Sequence, residues 1–348
     1  MGLSARLGRA AVRRPHVLLV PVPGYVPLRW KAEDALDALG WPTTGSPAGA
    51  DVLLCCGRPG PQLSRSVEVA WDGMPGPRTR LELTESDDVA VALRGAVARL
   101  ADLGAQRLDA LDRATPALSA ADTGQTEQDH GDMDHAGAAD GDMDHAGAAD
   151  GDMDHSMHMS MELPGGMVMA DRVEDRDGLR LEGLNLSLGP LLPTWPAGLR
   201  LDVVLSGDVL VRADVVRLDP RPEAEAAQTL RALDALATLL AAAGWSDGAL
   251  RARRARAGGG TGPRTDDLLR RVGRARLLRW SLRGLPSPGD GDLAAHLDRL
   301  AAAVHGDADL PAGDDERLAR DVVGLDVGTA ALVVAAHGPL GAVAPARA

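Results

Sequence analysis

Residues with metal-ligand chemistry are concentrated in one internal segment of the 348-residue chain. A ten-residue repeat places Asp-Met-Asp-His at 132–135, 142–145 and 152–155, and the last copy continues into a Met- and His-rich stretch at 156–161. Thioether and imidazole suit Cu(I), while imidazole with carboxylate suits Ni(II), Cu(II) or Zn(II). We therefore predict a copper or nickel site whose candidate ligands are His130, Met133, His135, Met143, His145, Met153, His155, Met157, His158, Met159 and Met161.

The charge of the segment sets it apart from the rest of the chain. Residues 114–171 contain no Lys or Arg but 13 of the 50 acidic residues, which leaves 37 acidic against 37 basic residues elsewhere. Residues 114–160 also have no aromatic residue and no Val or Ile, so they cannot bury enough apolar surface to offset the entropy of ordering. We predict a disordered linker at 114–160. The alternative to a metal site is an acidic tether lengthened by expansion of the repeat.

The remaining composition excludes several function classes. Lys31 is the only lysine and no P-loop motif is present, which argues against a phosphate-cradling site. Cys55 and Cys56 are adjacent and without further cysteines, so we expect no disulfide framework and a reduced, cytoplasmic setting. A buried, inert pair is favoured over a redox or soft-metal site. The body carries no net charge and the apolar runs are short or interrupted, so we expect neither a nucleic-acid partner nor membrane insertion.

The histidines outside the repeat have no catalytic context. No GxSxG or HExxH motif accompanies His16, His296, His305 or His337, and we expect these residues on the surface or at helix caps. Trp195 stands between prolines and is expected to be exposed. The arginines at 251–256 are expected at a solvated helix end, or alternatively facing the acidic linker or an anionic partner.

Residues 1–113 alternate between strand and helix signals. Apolar runs predict strands at 16–20, 51–56 and 78–83. Helical spacing predicts intervening helices at 27–39 and 62–74 and one long helix from Asp87 or Asp88 through Leu111. This alternation is typical of an α/β domain, and we expect a small parallel sheet with helices on both faces, forming three layers.

Residues 161–348 follow a different pattern. Alternating apolar residues on both sides of Ser206-Gly207-Asp208 predict a β-hairpin. The rest is helical in spacing, at 223–243, 266–285 and 290–305, and the apolar stretch 322–336 is interpreted as a buried helix or strand pair. We predict an α+β domain in which a hairpin is covered by a helical layer.

Two stretches of the chain resemble one protein system. Ala50-Asp51-Val52-Leu53-Leu54, a helix and Met74-Pro75-Gly76-Pro77 resemble the iron–sulfur small subunit of nickel–iron hydrogenases and respiratory complex I. Leu188-Gly189-Pro190 and Leu205-Ser206-Gly207-Asp208 resemble the N-terminal hairpin of the partner large subunit. Residues 153–159 are similar to the MDHSM repeats of bacterial copper-resistance proteins. The first two resemblances imply a small and a large subunit fused in one chain.

The cofactor ligands of that system are missing. The small subunit holds an iron–sulfur cluster with four cysteines, two of them just after the first strand, where this chain has Val22-Pro23-Gly24-Tyr25. Two cysteines cannot hold such a cluster, and the large subunit's CxxC motifs are absent. The resemblance therefore implies a non-catalytic accessory or assembly component, located in the cytoplasm or peripheral to a membrane complex. Its partners would be subunits of a hydrogenase- or complex-I-like oxidoreductase. The alternative is a copper or nickel buffer or chaperone.

Overall fold

A computed structural model describes residues 12–122, 172–174 and 180–338, with side chains for 12–113 and 183–338. The candidate metal ligands from His130 to Met161 lie outside these ranges, as do residues 123–160 of the predicted linker, so both remain predictions; residues 114–122, the predicted start of the linker, form the end of a helix. By contacts, Met1–Leu108 and Asp171–Ala348 belong to one compact unit, and Asp109–Ala170 to another.

The predicted parallel sheet is confirmed. It consists of β1 (Val17–Pro21), β2 (Val52–Cys56) and β3 (Thr79–Leu83), in the order β1-β2-β3. Val17 pairs with Val52, and Val52 with Thr79, in parallel register. All five residues of β2 are buried, as expected for the central strand of a sheet covered on both faces.

Three helices form the outer layers of this sheet. Helices α1 (Val26–Leu39) and α3 (Val89–Leu100) pack on the face that includes Leu54, whereas α2 (Pro61–Asp72) packs on the opposite face, with Leu53. The opposite placement of α1 and α2 has a topological reason. After α1 the chain returns beside the outer edge of β1, where Thr43 bridges to Val17, before it enters β2.

The predicted long helix from Asp87 or Asp88 to Leu111 is wrong in one respect, because it is two helices. The Asp88 carboxylate accepts a hydrogen bond from the Val91 N–H and begins α3. A second helix, α4 (Leu103–Asp122), follows after a break at 101–102. The Asp102 carboxylate accepts hydrogen bonds from the Gly104 and Ala105 N–H groups, so an N-cap starts α4 within a sequence whose spacing is helical throughout.

The second region contains two antiparallel sheets. Strands β4 (Arg172–Glu174) and β5 (Arg180–Glu182) pair with each other, and β6 (Leu184–Leu188), β7 (Leu199–Ser206) and β8 (Val209–Arg217) form the second sheet in that order. The predicted hairpin is confirmed. Gly207 adopts φ +62° in the turn, a conformation that glycine reaches without steric cost.

Seven helices follow β8 in the described part of the chain, up to residue 338. Helix α5 is central to the packing, with eight buried residues, and its core includes Leu201 and Leu210 of the hairpin. The helices are α5 (Gln228–Ala242), α6 (Ser246–Ala257), α7 (Pro263–Arg274), α8 (Arg276–Ser281), α9 (Leu293–His305), α10 (Asp315–Val322) and α11 (Val327–His337). The predicted helical layer is thereby confirmed. In the parts of the chain that the structure describes, no helix combines the length and apolarity needed to cross a bilayer.

Candidate functional site

The carboxyl edge of the parallel sheet is the place where an α/β protein normally binds its ligand. The chain leaves β1 toward one side of the sheet and leaves β2 toward the other, and ligands of open parallel sheets bind where the direction reverses. Here this edge consists of Pro21–Tyr25 after β1 and Gly57 after β2.

The side chain of Tyr25 covers the space above β2. A Cβ atom on Gly57 would lie 2.4 Å from Tyr25 Cδ2, and Gly57 has φ +112°, so only glycine fits beneath the ring. The guanidinium carbon of Arg221 lies 5.6 Å from the centroid of the Tyr25 ring, and Arg221 Nη1 donates a hydrogen bond to the Arg58 carbonyl at 3.1 Å. A residue from the second region of the chain thus closes the edge above the tyrosine.

The connection between β8 and α5, which contains Arg221, also places a carboxylate at the start of α2. Asp219 accepts hydrogen bonds from the Leu63 N–H at 2.8 Å and the Gln62 N–H at 3.4 Å. A Cβ on Gly60 would lie 2.3 Å from Asp219 Cγ, so the loop before α2 is shaped around this carboxylate. Asp219 itself adopts φ +46°, an uncommon conformation for a residue with a side chain.

A second carboxylate from this connection binds at the start of α1. The Glu223 carboxylate faces the backbone N–H groups of Gly24 and Val26, which favour its charged form. Desolvation raises the pKa of Glu223 above its ordinary value, although these donors and the nearby Arg29 act in the opposite direction. Its side chain still has contact with solvent.

These contacts determine what the edge can do chemically. Exposed N–H groups at helix N-termini are suited to bind phosphate or another anion. At α1 and α2 the chain supplies its own anions, Glu223 and Asp219, and Tyr25 fills the space between the strands. The edge is therefore occupied by the protein itself.

The two cysteines do not form a reactive site at this edge. Both lie inside β2 with no exposed surface, and their side chains point to opposite faces of the sheet. Burial raises the pKa of the Cys55 thiol to about 12 and raises that of Cys56 further. The predicted burial of the pair is confirmed, and the raised pKa values disfavour the thiolate, which is the reactive form.

A buried ionic network joins α1 to α5 and α6. Asp234 of α5 pairs with Arg29 of α1, and with Arg256 of α6 at 2.7 Å. Arg256 Nη2 also lies 2.9 Å from Glu33 and 3.2 Å from Asp34. The side chains of Arg256 and Asp234 are only 2% and 4% exposed, so these charges interact with little screening by water.

The charges of this network stabilise one another. Burial alone would raise the pKa of Asp234, but the guanidiniums of Arg29 and Arg256 outweigh burial and hold it below its ordinary value. Burial alone would lower the pKa of Arg29, and Asp234 and Glu33 reverse that direction. The expectation that the arginines at 251–256 lie at a solvated helix end is wrong for Arg256, which is buried between three helices.

Two of the four scattered histidines are placed as expected and two are not. His16 and His305 are exposed, but His296 and His337 are buried. Burial lowers the pKa of His296 to about 3, and both of its ring nitrogens lack a hydrogen-bond partner. His337 Nε2 lies 3.4 Å from Asp321 Oδ2. Across the described residues, no group of three or more His, Cys, Asp or Glu side chains is arranged to hold a metal ion.

The expectation that Trp195 is exposed is also wrong. Its side chain is 7% exposed, and Nε1 donates a 2.8 Å hydrogen bond to the Leu199 carbonyl. The ring packs against Gly189, where a Cβ would lie 2.3 Å from Nε1. Flanking prolines indicate a loop, but the packing partner of the indole comes from the turn into β7, which the local pattern does not reveal.

Sequence analysis missed the contribution of 219–223 to the sheet edge. A signal was present, because Pro220 and Pro222 each disfavour a helical conformation in the residue before them. This indicates an extended segment there and a later helix start, and α5 begins at Gln228 rather than near 223. Which surface the segment crosses is a tertiary property.

The sequence matches no protein-family model, and neither a curated protein nor a solved structure is significantly similar to the chain.

Proposed function

We propose that the protein is a non-catalytic accessory or assembly component of a hydrogenase- or complex-I-like oxidoreductase. One observation carries this proposal. The edge after β1, where the resembled small subunit binds its cluster, contains Val22–Tyr25 without a thiol and is covered by Arg221, Asp219 and Glu223 of the same chain. On this proposal the edge keeps its position in the scaffold, and the chain's own side chains stand where the cofactor would bind.

The resembling motifs occupy compatible positions. Residues 50–54 lead into and form most of β2, and 74–77 form the turn before β3. In the second region, Gly189 and Pro190 follow β6, and Gly207 and Asp208 form the turn between β7 and β8. These placements support the proposed kinship, which rests on the motifs alone.

The experiment that tests this proposal combines chemical analysis with partner identification. The purified full chain is expected to contain neither iron nor acid-labile sulfide. The chain, tagged at its own locus and cross-linked in cells, is expected to yield cross-links to hydrogenase- or complex-I-type subunits. Stoichiometric iron and sulfide, or a chain cross-linked to no such subunit, would contradict the proposal.

The Met/His/Asp repeat supports a second candidate function, a copper or nickel buffer or chaperone. The observation that supports this candidate is the threefold recurrence of Asp-Met-Asp-His before the Met/His stretch at 156–161. Titration of the intact chain with Cu(I) and with Ni(II) is compared with a chain lacking 129–160. The matched control keeps the length and the acidic residues and replaces each repeat Met by Leu and each His by Gln. Submicromolar binding that is lost in both altered chains favours metal handling, and equal binding by all three chains rejects it.

A further inference from the structure

Helix α8 exposes two large apolar side chains on an otherwise well-anchored element. Leu277 is 76% exposed and Trp280 is 70% exposed, two of the three highest values among the large hydrophobic residues that the structure describes. They are three residues apart on the helix and therefore lie on the same side. Arg276 begins the helix four residues before Trp280, and Arg283 follows two residues after its last residue, Ser281; both arginines are exposed.

The opposite side of α8 is held firmly by the protein. Leu282 is fully buried and Leu278 packs against the same core. Arg279 donates two hydrogen bonds to Asp298 of α9, at 2.5 and 2.6 Å. These contacts fix the orientation of α8, and in that orientation Leu277 and Trp280 face solvent.

The chain segment that carries these residues is basic, although Asp298 and Asp292 of neighbouring segments contact Arg279 and Gly284. Residues 268–289 contain six arginines and no acidic residue. Arg270 and Arg271 pair with Asp267, and Arg279 pairs with Asp298. The other three, Arg274, Arg276 and Arg283, are exposed and make no hydrogen bond or ion pair with any described residue. We call Arg274, Arg276, Leu277, Trp280 and Arg283 the α8 patch.

We infer that the α8 patch is a docking surface for an anionic lipid membrane. A tryptophan and a leucine surrounded by arginines match the chemistry of an interfacial anchor, in which the indole enters the headgroup region and the guanidiniums contact lipid phosphates. The inference does not depend on the proposed function.

Size and charge favour a lipid surface over a macromolecular partner. Leu277 and Trp280 offer on the order of 300 Å² of apolar area, whereas a stable protein interface buries about 800 Å² on each partner. A duplex nucleic acid would be bound through phosphate contacts alone and has no place for an exposed leucine. A bilayer surface uses both features. The chain as a whole carries a net charge of −13, so adsorption to anionic vesicles requires a local basic surface.

The test is flotation of the full-length protein with vesicles of phosphatidylcholine alone and of phosphatidylcholine mixed with phosphatidylserine. Binding is expected only to the mixed vesicles and is expected to weaken with added salt. Each arginine near an anionic surface contributes about fivefold to partitioning, so replacing Arg274, Arg276 and Arg283 by Gln should reduce binding roughly 100-fold. Leu277→Ser and Trp280→Ser should each reduce it on the order of tenfold.

Matched controls change the same chemistry elsewhere. Arg65, Arg94 and Arg107 are exposed and make no hydrogen bond or ion pair with described residues, so their joint replacement by Gln gives the same change in net charge. Val69, 73% exposed on α2, controls for loss of an exposed apolar side chain when replaced by Ser. Both controls should bind like the unaltered protein. Circular dichroism verifies that each variant is folded.

A second measurement places Trp280 itself at the lipid. Brominated lipid in the mixed vesicles should quench tryptophan fluorescence of the unaltered protein and quench a Trp280→Leu variant less, although that variant still binds. The inference is overturned if the protein ignores anionic vesicles, or if it binds neutral vesicles equally well. It is also overturned if the altered patch binds as the controls do. A third contrary result combines two findings: duplex DNA binds through the three arginines, and substitution of Leu277 or Trp280 does not affect vesicle binding. The partner of the patch would then be a polyanion such as DNA and not a lipid membrane.

Discussion

Replacing Asp234 by Asn tests whether the buried ionic network holds α1 against α5 and α6. Asp234 and Glu33 each pair with both Arg29 and Arg256, and Asp234 is the more deeply buried of the two, at 4% exposure against 14%. The substitution keeps size and shape but removes the negative charge. Both guanidiniums then remain buried, with part of their compensating charge supplied by Glu33 and Asp34.

The expected cost follows from this imbalance. Breaking a buried ion pair by altering one partner typically costs about 3–5 kcal/mol, because the other charge remains desolvated. We expect Asp234→Asn to lower the free energy of unfolding by about 3 kcal/mol, the lower part of that range, since Glu33 and Asp34 still contact Arg256. Urea unfolding monitored by tryptophan fluorescence and by circular dichroism measures the change.

The control is an exposed pair of the same type. Asp214 lies 3.2 Å from Arg212, with the side chains 60% and 72% exposed, and Asp214→Asn should cost less than about 1 kcal/mol. The pH dependence gives a second criterion. Because the folded-state pKa of Asp234 is lowered, its contribution is complete above the unfolded pKa of about 4 and is lost as pH falls through the folded value. The difference in free energy of unfolding between the unaltered protein and Asp234→Asn should therefore become smaller only below about pH 4. A cost equal to that of Asp214→Asn, or a difference independent of pH down to acid unfolding, would refute the reasoning.

Three further predictions concern the same scaffold. His296 is buried with a pKa of about 3, below its unfolded value, so its contribution to stability is present above about pH 6.5 and is lost as pH falls. Between pH 7 and pH 5 the free energy of unfolding of the unaltered protein should therefore fall by about 2 kcal/mol more than that of His296→Leu. Equal losses in urea unfolding would contradict this. Gly57→Ala should lower the free energy of unfolding by at least about 2 kcal/mol, because the added Cβ meets Tyr25. Gly207→Ala, with open space around its Cβ, should lower it by about 1 kcal/mol. Similar shifts of the two variants in thermal unfolding would rule out the tight contact at Gly57. Asp219→Ala should cost about 1–2 kcal/mol because α2 loses its cap, and Asp219→Asn should cost less since an amide oxygen still accepts; equal losses for both would reject capping.

Local patterns were sufficient for the N-terminal sheet. Residues 52–56 are uniformly apolar, which is typical of a strand covered on both faces, and helical spacing at 27–39 and 62–74 predicts the helices α1 and α2. Turn chemistry at Ser206-Gly207-Asp208 likewise predicts the hairpin, because glycine at positive φ is required there. These signals are local, so no distant residue was needed to interpret them.

The errors share a physical cause. Apolar spacing around 101–102 continues a helix, but one carboxylate, Asp102, ends that continuity by binding the N–H groups that follow. Arg256 has the composition of a surface cation, and only the carboxylates of α1 and α5 make its burial possible. In both cases the deciding interaction is a polar contact whose geometry the apolar periodicity does not encode.

The sequence by itself determined most of the elements of the described residues, the absence of a cluster-binding cysteine set and the soft-ligand chemistry of the repeat, because these depend on residue type and on spacing over a few turns. Only the tertiary structure decided that the carboxyl edge of the sheet is filled by Asp219 and Glu223, more than 150 residues away along the chain from the helices they cap. It also decided that Leu277 and Trp280 stay in solvent while Trp195 is buried. Exposure and occupancy depend on which surfaces meet, and that depends on contacts between residues distant in sequence.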